Sequence, residues 1–296
     1  MPYRGKNGIL GSVTAGVLAD RKARSRLQDR TYLYVADSGG NDVSAFAVDP
    51  VSGVLTGLPG PPVATGVNPK ALLLFNNSFL FVANAGSNNP SAYQVDLNNG
   101  VPTPLSPASY VTGAGPSVIA IDTNSGVVND SGYSDPFLYT ANTGGTNDIS
   151  AFLVDRTTGA LTAVAGSPFP SGSSVSSIAL GARGLFLYAA DASGNTAAIY
   201  GYLVDGSSGA LTPLSGFPHA LPSCNYIVAD QNGAYLYAMT GTNLLGYSID
   251  EQFGGLSPLP GFPVAVGANA DSVTIDPTNQ FLHVRSRSLE QSPVSS

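Results

Sequence analysis

The chain has 296 residues, of which 43% are hydrophobic and only 10% are charged, and its formal net charge is −7. Seven of the twelve basic residues lie in the first thirty positions, so the rest of the chain is strongly acidic and excludes the cationic surface that nucleic acids require. The single cysteine, Cys224, excludes an internal disulfide and a cysteine-rich metal site, and no stretch is apolar enough to span a bilayer.

Residues 1–31 fit no repeat cleanly and form a basic segment apart from the repeat array of residues 32–296. Residues 13–20 (VTAGVLAD) faintly match YIVAD, which precedes a later repeat, so they are interpreted as a degraded innermost strand. The alternative is an untidy and partly mobile terminus. Glycine, serine and Asp20 interrupt the basic-then-apolar start, which argues against a signal peptide.

From Leu33 onward, a unit of about fifty residues repeats, and repeats of short strands at this period are typical of propellers. Further units begin at Leu80, Leu138, Leu187 and Leu236, and a sixth start at Leu282 stops almost at once. We therefore predict an all-β fold, a β-propeller with four-stranded antiparallel blades. The absence of tryptophan counts against a WD-type propeller.

Each unit predicts four strands. The first precedes the leucine, at residues 71–75, 118–122, 177–180, 226–230 and 272–276. The second is the LYVAD-like run, the third resembles SAFAV, and the fourth follows a D-x-x-x-G turn. Apolar side chains fall on both faces of runs such as ISAFLV, as expected for a blade that is covered on both sides.

The turns account for the most regular polar residues. Aspartate and glycine stand four apart in five units: Asp49/Gly53, Asp96/Gly100, Asp155/Gly159, Asp205/Gly209 and Asp250/Gly254. An aspartate side chain accepts backbone N–H bonds, and glycine takes the positive φ that closes the hairpin. We interpret these carboxylates as hairpin caps, and we predict that the proline-rich pieces after the fourth strand lie at outer edges.

These motifs together resemble the YVTN-type repeats of the lactonase family of seven-bladed β-propellers, which includes 6-phosphogluconolactonase-like proteins. The resemblance covers about residues 32–285, through LYVAD, LFVAN, LYTAN and LYAAD with D-x-x-x-G-[AV]-L-T and G-S-P-F. It implies four strands per blade and a ligand site at one mouth of the central channel. Seven blades need more chain, so we predict about five full blades and a partial sixth, as in a fragment, a truncation or an early stop. Open blade faces then predict self-association.

The resemblance also implies catalysis by histidine, arginine and glutamate at the mouth, but no such residue falls at a matching position. His219 lies in an outer proline segment, and His283 lies in the last strand. The remaining candidates lie in turns or in the tail: Arg156, Arg183, Glu251 and Glu290. The catalytic residues are therefore unknown, and no cofactor or resident metal is predicted.

One end of the blades is nominated as the ligand-binding mouth, because loops that enter the first strand and loops that join the second and third strands open there. The first set contributes Asn68, Lys70, Ser117, Ser176, Asn225 and Asp271. The second set contributes Asp37, Asp42, Asn84, Asn142, Asp148 and Asp191. With Lys70 as its only predicted cation, this surface suits hydroxyl-rich ligands or a divalent ion better than a phosphate. The alternative is that these side chains satisfy their own turns.

Three functions follow as hypotheses. The first is a binding propeller for a carbohydrate-like ligand or a protein partner, and the second is a lactone hydrolase, in which a water molecule attacks a polarised carbonyl. The third is a structural part of a larger repeat array. Low lysine content and a surface rich in Ser, Thr, Asn and Gly favour a secreted or cell-envelope protein, with a cytoplasmic location as the alternative.

Overall fold

The computed structural model describes residues 15–18, 31–106, 110–128, 134–144, 149–181, 184–267, 270–276 and 278–286. These residues form six antiparallel sheets, and the helical element within these ranges is a 3-10 turn at Gly194–Thr196. Across the same ranges, no helix is long and apolar enough to cross a membrane. The predicted all-β architecture is confirmed.

The first three sheets are blades whose four main strands are neighbours in the order of the chain. Blade 1 contains β1 (Ala15–Leu18), β2 (Thr31–Asp37), β3 (Asp42–Val48), β4 (Leu55–Gly57) and the short β5 (Val63–Ala64). Blade 2 contains β6 (Pro69–Phe75), β7 (Phe79–Asn84), β8 (Asn89–Val95) and β9 (Pro102–Pro104). Blade 3 contains β10 (Pro116–Val128), β11 (Ser134–Asn142), β12 (Ile149–Val154) and β13 (Leu161–Ala163).

Two more blades and a two-stranded sheet follow. Blade 4 contains β14 (Val175–Gly181), β15 (Phe186–Asp191), β16 (Ala198–Val204), β17 (Leu211–Pro213) and β18 (His219–Ala220). Blade 5 contains β19 (Tyr226–Ala229), β20 (Tyr235–Thr240), β21 (Asn243–Ile249), β22 (Leu256–Pro258) and β23 (Val264–Ala265). Sheet 6 pairs β24 (Ala270–Ile275) with β25 (Leu282–Ser286). The predicted count of five full blades and a partial sixth is confirmed.

The blades follow one another around an axis lined by their first strands. Contacts run in the order β1, β6, β10, β14, β19 and β24. Each hydrophobic cluster lies between two successive sheets, because both faces of a middle blade are apolar. The fold is therefore a propeller whose core is divided among the gaps between blades.

In blades 1 to 4, an aromatic residue near the start of the second strand, here called the blade aromatic, packs on the next blade. Its members in blades 1 to 4 are Tyr32, Phe79, Phe137 and Phe186, and all are at most 3% exposed. Each ring lies against the backbone of a hairpin glycine in the next blade: Gly100, Gly159, Gly209 and Gly254. The four glycines have φ between 71° and 75°. These values confirm the predicted left-handed turns.

A tyrosine two residues after the blade aromatic ties the same blades together by hydrogen bonds. Tyr34 donates to the carbonyl oxygen of Gly100 at 2.8 Å, and Tyr188 donates to that of Gly254 at 2.8 Å. Tyr139 donates to the Gly209 carbonyl at 3.0 Å. The hairpin glycine therefore serves two purposes: it closes its own turn, and it receives the ring and the hydroxyl of the preceding blade.

The outer strand is interrupted in three blades. After β4, β17 and β22 the chain turns through a proline-rich segment and adds β5, β18 and β23 to the same third strand. In blade 4 the Phe217 ring of this segment covers Gly201 and stacks on Tyr188, with ring centroids 6.0 Å apart. The proline segments thus lie at the outer edge, as predicted, and they also fill the blade interior.

Candidate functional site

The loops that were predicted to form one mouth are hydrogen-bonded to each other across blade boundaries. The Asn41 side-chain oxygen accepts from the Asn68 backbone N–H at 2.7 Å, and that of Asn88 accepts from Gly115 at 2.8 Å. Asn41 and Asn88 each follow a second strand and have φ of 56°, a left-handed conformation that asparagine tolerates. In blades 1 and 2, the loop after the second strand is therefore tied to the loop that enters the next blade.

The innermost strands share an irregularity at this end. The strand register shifts between Pro69 and Ala71, and the same shift occurs at residues 116/118, 175/177 and 270/272. One residue is left out of the pairing each time, and such a bulge redirects a side chain. The resulting bulge row consists of Lys70, Ser117, Ser176 and Asp271, with Asn225 at the corresponding position just before β19.

The members of the bulge row differ in how their side chains are bonded. The Ser176 hydroxyl donates to the carbonyl oxygens of Ala190 at 3.3 Å and Cys224 at 3.4 Å, and Ser117 has a long contact of 3.5 Å to Ala141. Asn225 is exposed and uses only its backbone N–H, toward Met239 at 3.1 Å. Lys70 is half-buried, and the Asp271 side chain lies outside the described residues.

Two predicted site asparagines belong instead to buried networks. Asn84 is fully buried, accepts from the Thr65 hydroxyl at 2.8 Å, and donates to Asn89 at 3.0 Å and Ser91 at 2.8 Å. Asn142 is fully buried, donates to the Ser150 hydroxyl at 3.0 Å and accepts from Thr140 at 3.2 Å. Both side chains hold the mouth loops in place and are not presented to a ligand.

Asp191 also has a structural role. It is 1% exposed, and its carboxylate accepts from the backbone N–H groups of Ser174 at 3.1 Å and Ser193 at 3.0 Å and from the Ser193 hydroxyl. The carboxylate lies so close to Gly172 that a side chain there would collide with it. Burial raises the pKa of the neighbouring Cys224 thiol to about 12, and the charge of Asp191 adds to this effect.

Asp37 and Asp42 form a carboxylate pair at the mouth of blade 1. They face each other across the end of the β2–β3 ladder, and both close over Gly40, where an added Cβ would lie 2.6 Å from Asp42 Oδ2 and 3.3 Å from Asp37 Oδ2. Burial, with the charge of Asp37 as a second cause, raises the pKa of Asp42 above its ordinary value. Asp37 is exposed and accepts only from the Gly39 N–H, at 2.7 Å.

Arg285 adds a second cation at this end, where Lys70 was predicted to be the only one. It pairs in register with Ser272 next to the Asp271 bulge, and its charge partly offsets the burial that raises the pKa of Tyr226. Its position was readable from the sequence, because LHVRS aligned with LYVAD places an arginine where the other units have alanine or methionine.

The remaining acid–base groups lie away from this mouth. His219 is in the outer strand β18, with its ring 5.4 Å from that of Tyr247, and Arg156 lies over the Phe75 ring at 5.3 Å. His283 and Glu251 are exposed in β25 and in the outer hairpin of blade 5. In the described ranges, no three His, Cys, Asp or Glu residues are grouped so as to hold a metal. Asp148, Arg183 and Glu290 lie outside those ranges.

Known proteins share this architecture at low sequence identity. A 6-phosphogluconolactonase-like protein from Bacteroides uniformis has 15% identity and a TM-score of 0.66, over 92% of this chain and 77% of its own. A similar protein from Bacteroides fragilis has 16% identity and a TM-score of 0.60, over 80% and 68%. The periplasmic gluconolactonase of Pseudomonas aeruginosa has 16% identity and a TM-score of 0.60, over 86% and 70%.

At these identities the likeness to solved structures shows the fold alone. Among curated proteins, none matches the sequence at a significant level. Residues 19–121 match the model of the lactonase family, described as a 7-bladed beta-propeller. This match and the shared fold confirm the resemblance of the chain to the lactonase family of β-propellers.

Proposed function

We propose that this chain is a binding propeller that takes an uncharged, hydroxyl-rich small molecule at its mouth and hydrolyses lactones poorly. The observation that carries the proposal is the bulge row, which places one polar residue from each of blades 2 to 5 and from sheet 6 at the same level of the inner strands. Its Ser117, Ser176 and Asn225 side chains offer both hydrogen-bond donors and acceptors, which is what the hydroxyls of a sugar need, and the charged Lys70 and Asp271 flank them.

The charges at the mouth argue against a phosphorylated ligand. A dianionic phosphate is recognised by clustered arginine or lysine or by backbone donors. Here Lys70 and Arg285 belong to blade 2 and sheet 6, whereas Asp37 and Asp42 form a compact negative pair on blade 1. Two unit charges about 4 Å apart interact by about 4 kcal/mol near a protein surface, so one carboxylate offsets one cation.

A lactone hydrolase is the second candidate, and the Asp37–Asp42 pair is the observation that favours it. A general base must accept a proton from water near neutral pH, and a raised carboxyl pKa moves Asp42 in that direction. Polarising the lactone carbonyl requires a donor opposite this base. No histidine of the described inner strands supplies that donor, so we rank binding above catalysis.

Ligand-observed NMR tests the binding proposal, with D-glucono-1,5-lactone and the stable polyol 1,5-anhydroglucitol as probes. We expect saturation transfer from the protein to both probes and its loss in Asn225→Leu, which replaces an exposed amide of the bulge row. Gln252→Leu, an exposed amide in the outer hairpin of blade 5, is the matched control and should bind normally. Absence of transfer to either probe, or equal loss in both variants, would sink the proposal.

Turnover distinguishes binding from catalysis. Purified protein should not hydrolyse 6-phosphogluconolactone or glucono-1,5-lactone above the spontaneous rate. Hydrolysis of the phosphorylated lactone that falls in Lys70→Ala would show that the mouth accepts phosphate and that the binding assignment is wrong. Hydrolysis of the neutral lactone that falls in Asp42→Asn would establish the hydrolase instead.

A further inference from the structure

The contact between a blade aromatic and the hairpin glycine of the next blade occurs four times within the chain, between blades 1 and 2, 2 and 3, 3 and 4, and 4 and 5. The same two components also occur without such a partner at the two ends of the described fold. Tyr235 of blade 5 is a further aromatic of this kind and is 41% exposed, because the two described strands of sheet 6 include no hairpin glycine to receive it. Blade 1 has a hairpin glycine, Gly53, and sheet 6 has a blade aromatic, Phe281. We propose that these surfaces bind each other between two copies of this chain, in a head-to-tail assembly.

The hairpin of blade 1 has the shape of the other hairpins but lacks their cover. Gly53 has φ of 71°, as Gly254 does, yet no described atom lies within 4 Å of the position that a Cβ would take. Leu55 follows two residues later and is 48% exposed, whereas the equivalent Leu161 and Leu211 are each 6% exposed. Gly53, Val54 and Leu55 are called the open hairpin surface below, and Val54 is 60% exposed.

The aromatic side of the contact is uncovered at the other end. Phe281 is 63% exposed, whereas the blade aromatics of blades 1 to 4 are at most 3% exposed. His283 stands two residues later, where blades 1, 3 and 4 have the tyrosines that donate to the glycine carbonyl, and it is also exposed. An imidazole N–H can donate to the same carbonyl. Phe281 and His283 are called the open aromatic surface.

The open aromatic surface and the open hairpin surface are complementary, because they correspond to the two sides of the contact that joins successive blades within the chain. A ring stacked on a bare glycine backbone, flanked by an apolar residue, already stabilises four boundaries between blades. The contact is not self-complementary, since one partner supplies the ring and the other supplies the hairpin. Such a heterologous contact joins copies head to tail and produces rings or open chains of molecules.

Sedimentation velocity over a concentration series tests this proposal. We expect the wild-type protein to form dimers and longer species as concentration rises. Leu55→Asp and Phe281→Ser each remove one surface, and each should weaken association at least tenfold. The controls are Leu97→Asp and Phe253→Ser, which change residues with 58% and 68% exposure in hairpins whose glycines are already covered.

Mixing Leu55→Asp with Phe281→Ser tests whether the association is head to tail. Leu55→Asp keeps its aromatic surface and Phe281→Ser keeps its hairpin surface, so an equimolar mixture should form dimers and no longer species. Circular dichroism confirms that each variant is folded. A wild-type protein that is monomeric at every concentration would mean that the surfaces are covered within one chain, and the proposal would fail. It would fail equally if the controls matched the blocked variants, or if the mixture stayed monomeric.

Discussion

Replacing Gly254 with alanine tests the contact between blades 4 and 5. The same change at Gly53 is the control, because it introduces the backbone strain and the entropy change of the substitution without that contact. Both glycines close the same kind of hairpin at φ of 71°, so alanine suffers the same left-handed strain at both sites, about 1–2 kcal/mol. The entropy that alanine removes from the unfolded chain is also equal and therefore cancels in the comparison. The two sites differ in the atoms that surround the added methyl group.

At Gly254 an added Cβ would lie 2.7 Å from the Cδ1 atoms of both Phe186 and Leu214. Phe186 is 2% exposed and cannot rotate away without leaving the gap between blades 4 and 5. Forcing a methyl group into such a contact costs about 1–3 kcal/mol. At Gly53 no described atom lies within 4 Å of that Cβ. We therefore expect Gly254→Ala to lower the free energy of unfolding by about 1–3 kcal/mol more than Gly53→Ala does.

Urea unfolding followed by circular dichroism provides the comparison, at a concentration low enough to keep the chain monomeric. Stability in repeat folds is a sum of unit and boundary terms, so the relevant quantity is the midpoint of the transition that includes blades 4 and 5. Equal destabilisation by the two substitutions would refute the reasoning, because it would mean that the ring of the preceding blade does not constrain the hairpin glycine.

Two more changes test single sets of hydrogen bonds, one at a blade boundary and one within a hairpin. Tyr139→Phe removes the buried donor to the Gly209 carbonyl, so urea unfolding should show a free energy of unfolding lower by about 1–3 kcal/mol. The control is Tyr235→Phe, at a residue 41% exposed, which should change the free energy of unfolding by less than about 0.5 kcal/mol. Equal effects of the two changes would contradict the role of the Tyr139 hydrogen bond. The Asp205 pKa is lowered to about 2, first by the Ser207 hydroxyl and then by backbone N–H groups. Because the folded-state pKa is depressed, the ionised Asp205 carboxylate stabilises the fold above about pH 4, and this stabilisation is lost as pH falls toward about pH 2. Asp205→Asn should therefore flatten the decline of the urea midpoint over that pH range, and an unchanged slope would contradict this expectation.

The blades could be predicted because their signals are repeated. The LYVAD-like runs and the D-x-x-x-G turns recur in register, so a weak pattern in one unit can be assigned by comparison with the others. The inner strands of blades 2 to 5 and of sheet 6 lie where the repeat predicts them. The short strands β5, β18 and β23 could not be predicted, since a two-residue strand shows no alternation. The pairing of Phe186 with Gly254 was also hidden, because it joins residues from different units that have no local pattern in common.

The candidate site was predictable as a set of loops but not as a set of available side chains. Asn84 and Asn225 are the same residue type at the same end of the blades, yet Asn84 is fully buried with three partners and Asn225 is exposed. Partners such as Thr65 come from neighbouring loops whose approach depends on how the chain packs there. Arg285 differs from these residues, because the alignment of its strand with the LYVAD-like runs places its charge where the other units have alanine or methionine.

The bulge at the head of the inner strands of blades 2, 3 and 4 and of sheet 6 keeps one residue of each strand out of the strand pairing. The residues on either side of it, such as Val175 and Ser177, are at most 1% exposed and build the interior, whereas the bulged position takes no part in the ladder. Lysine, serine and aspartate all occupy it within this one chain. The side chain at this position can therefore change, one sheet at a time, without repacking the interior.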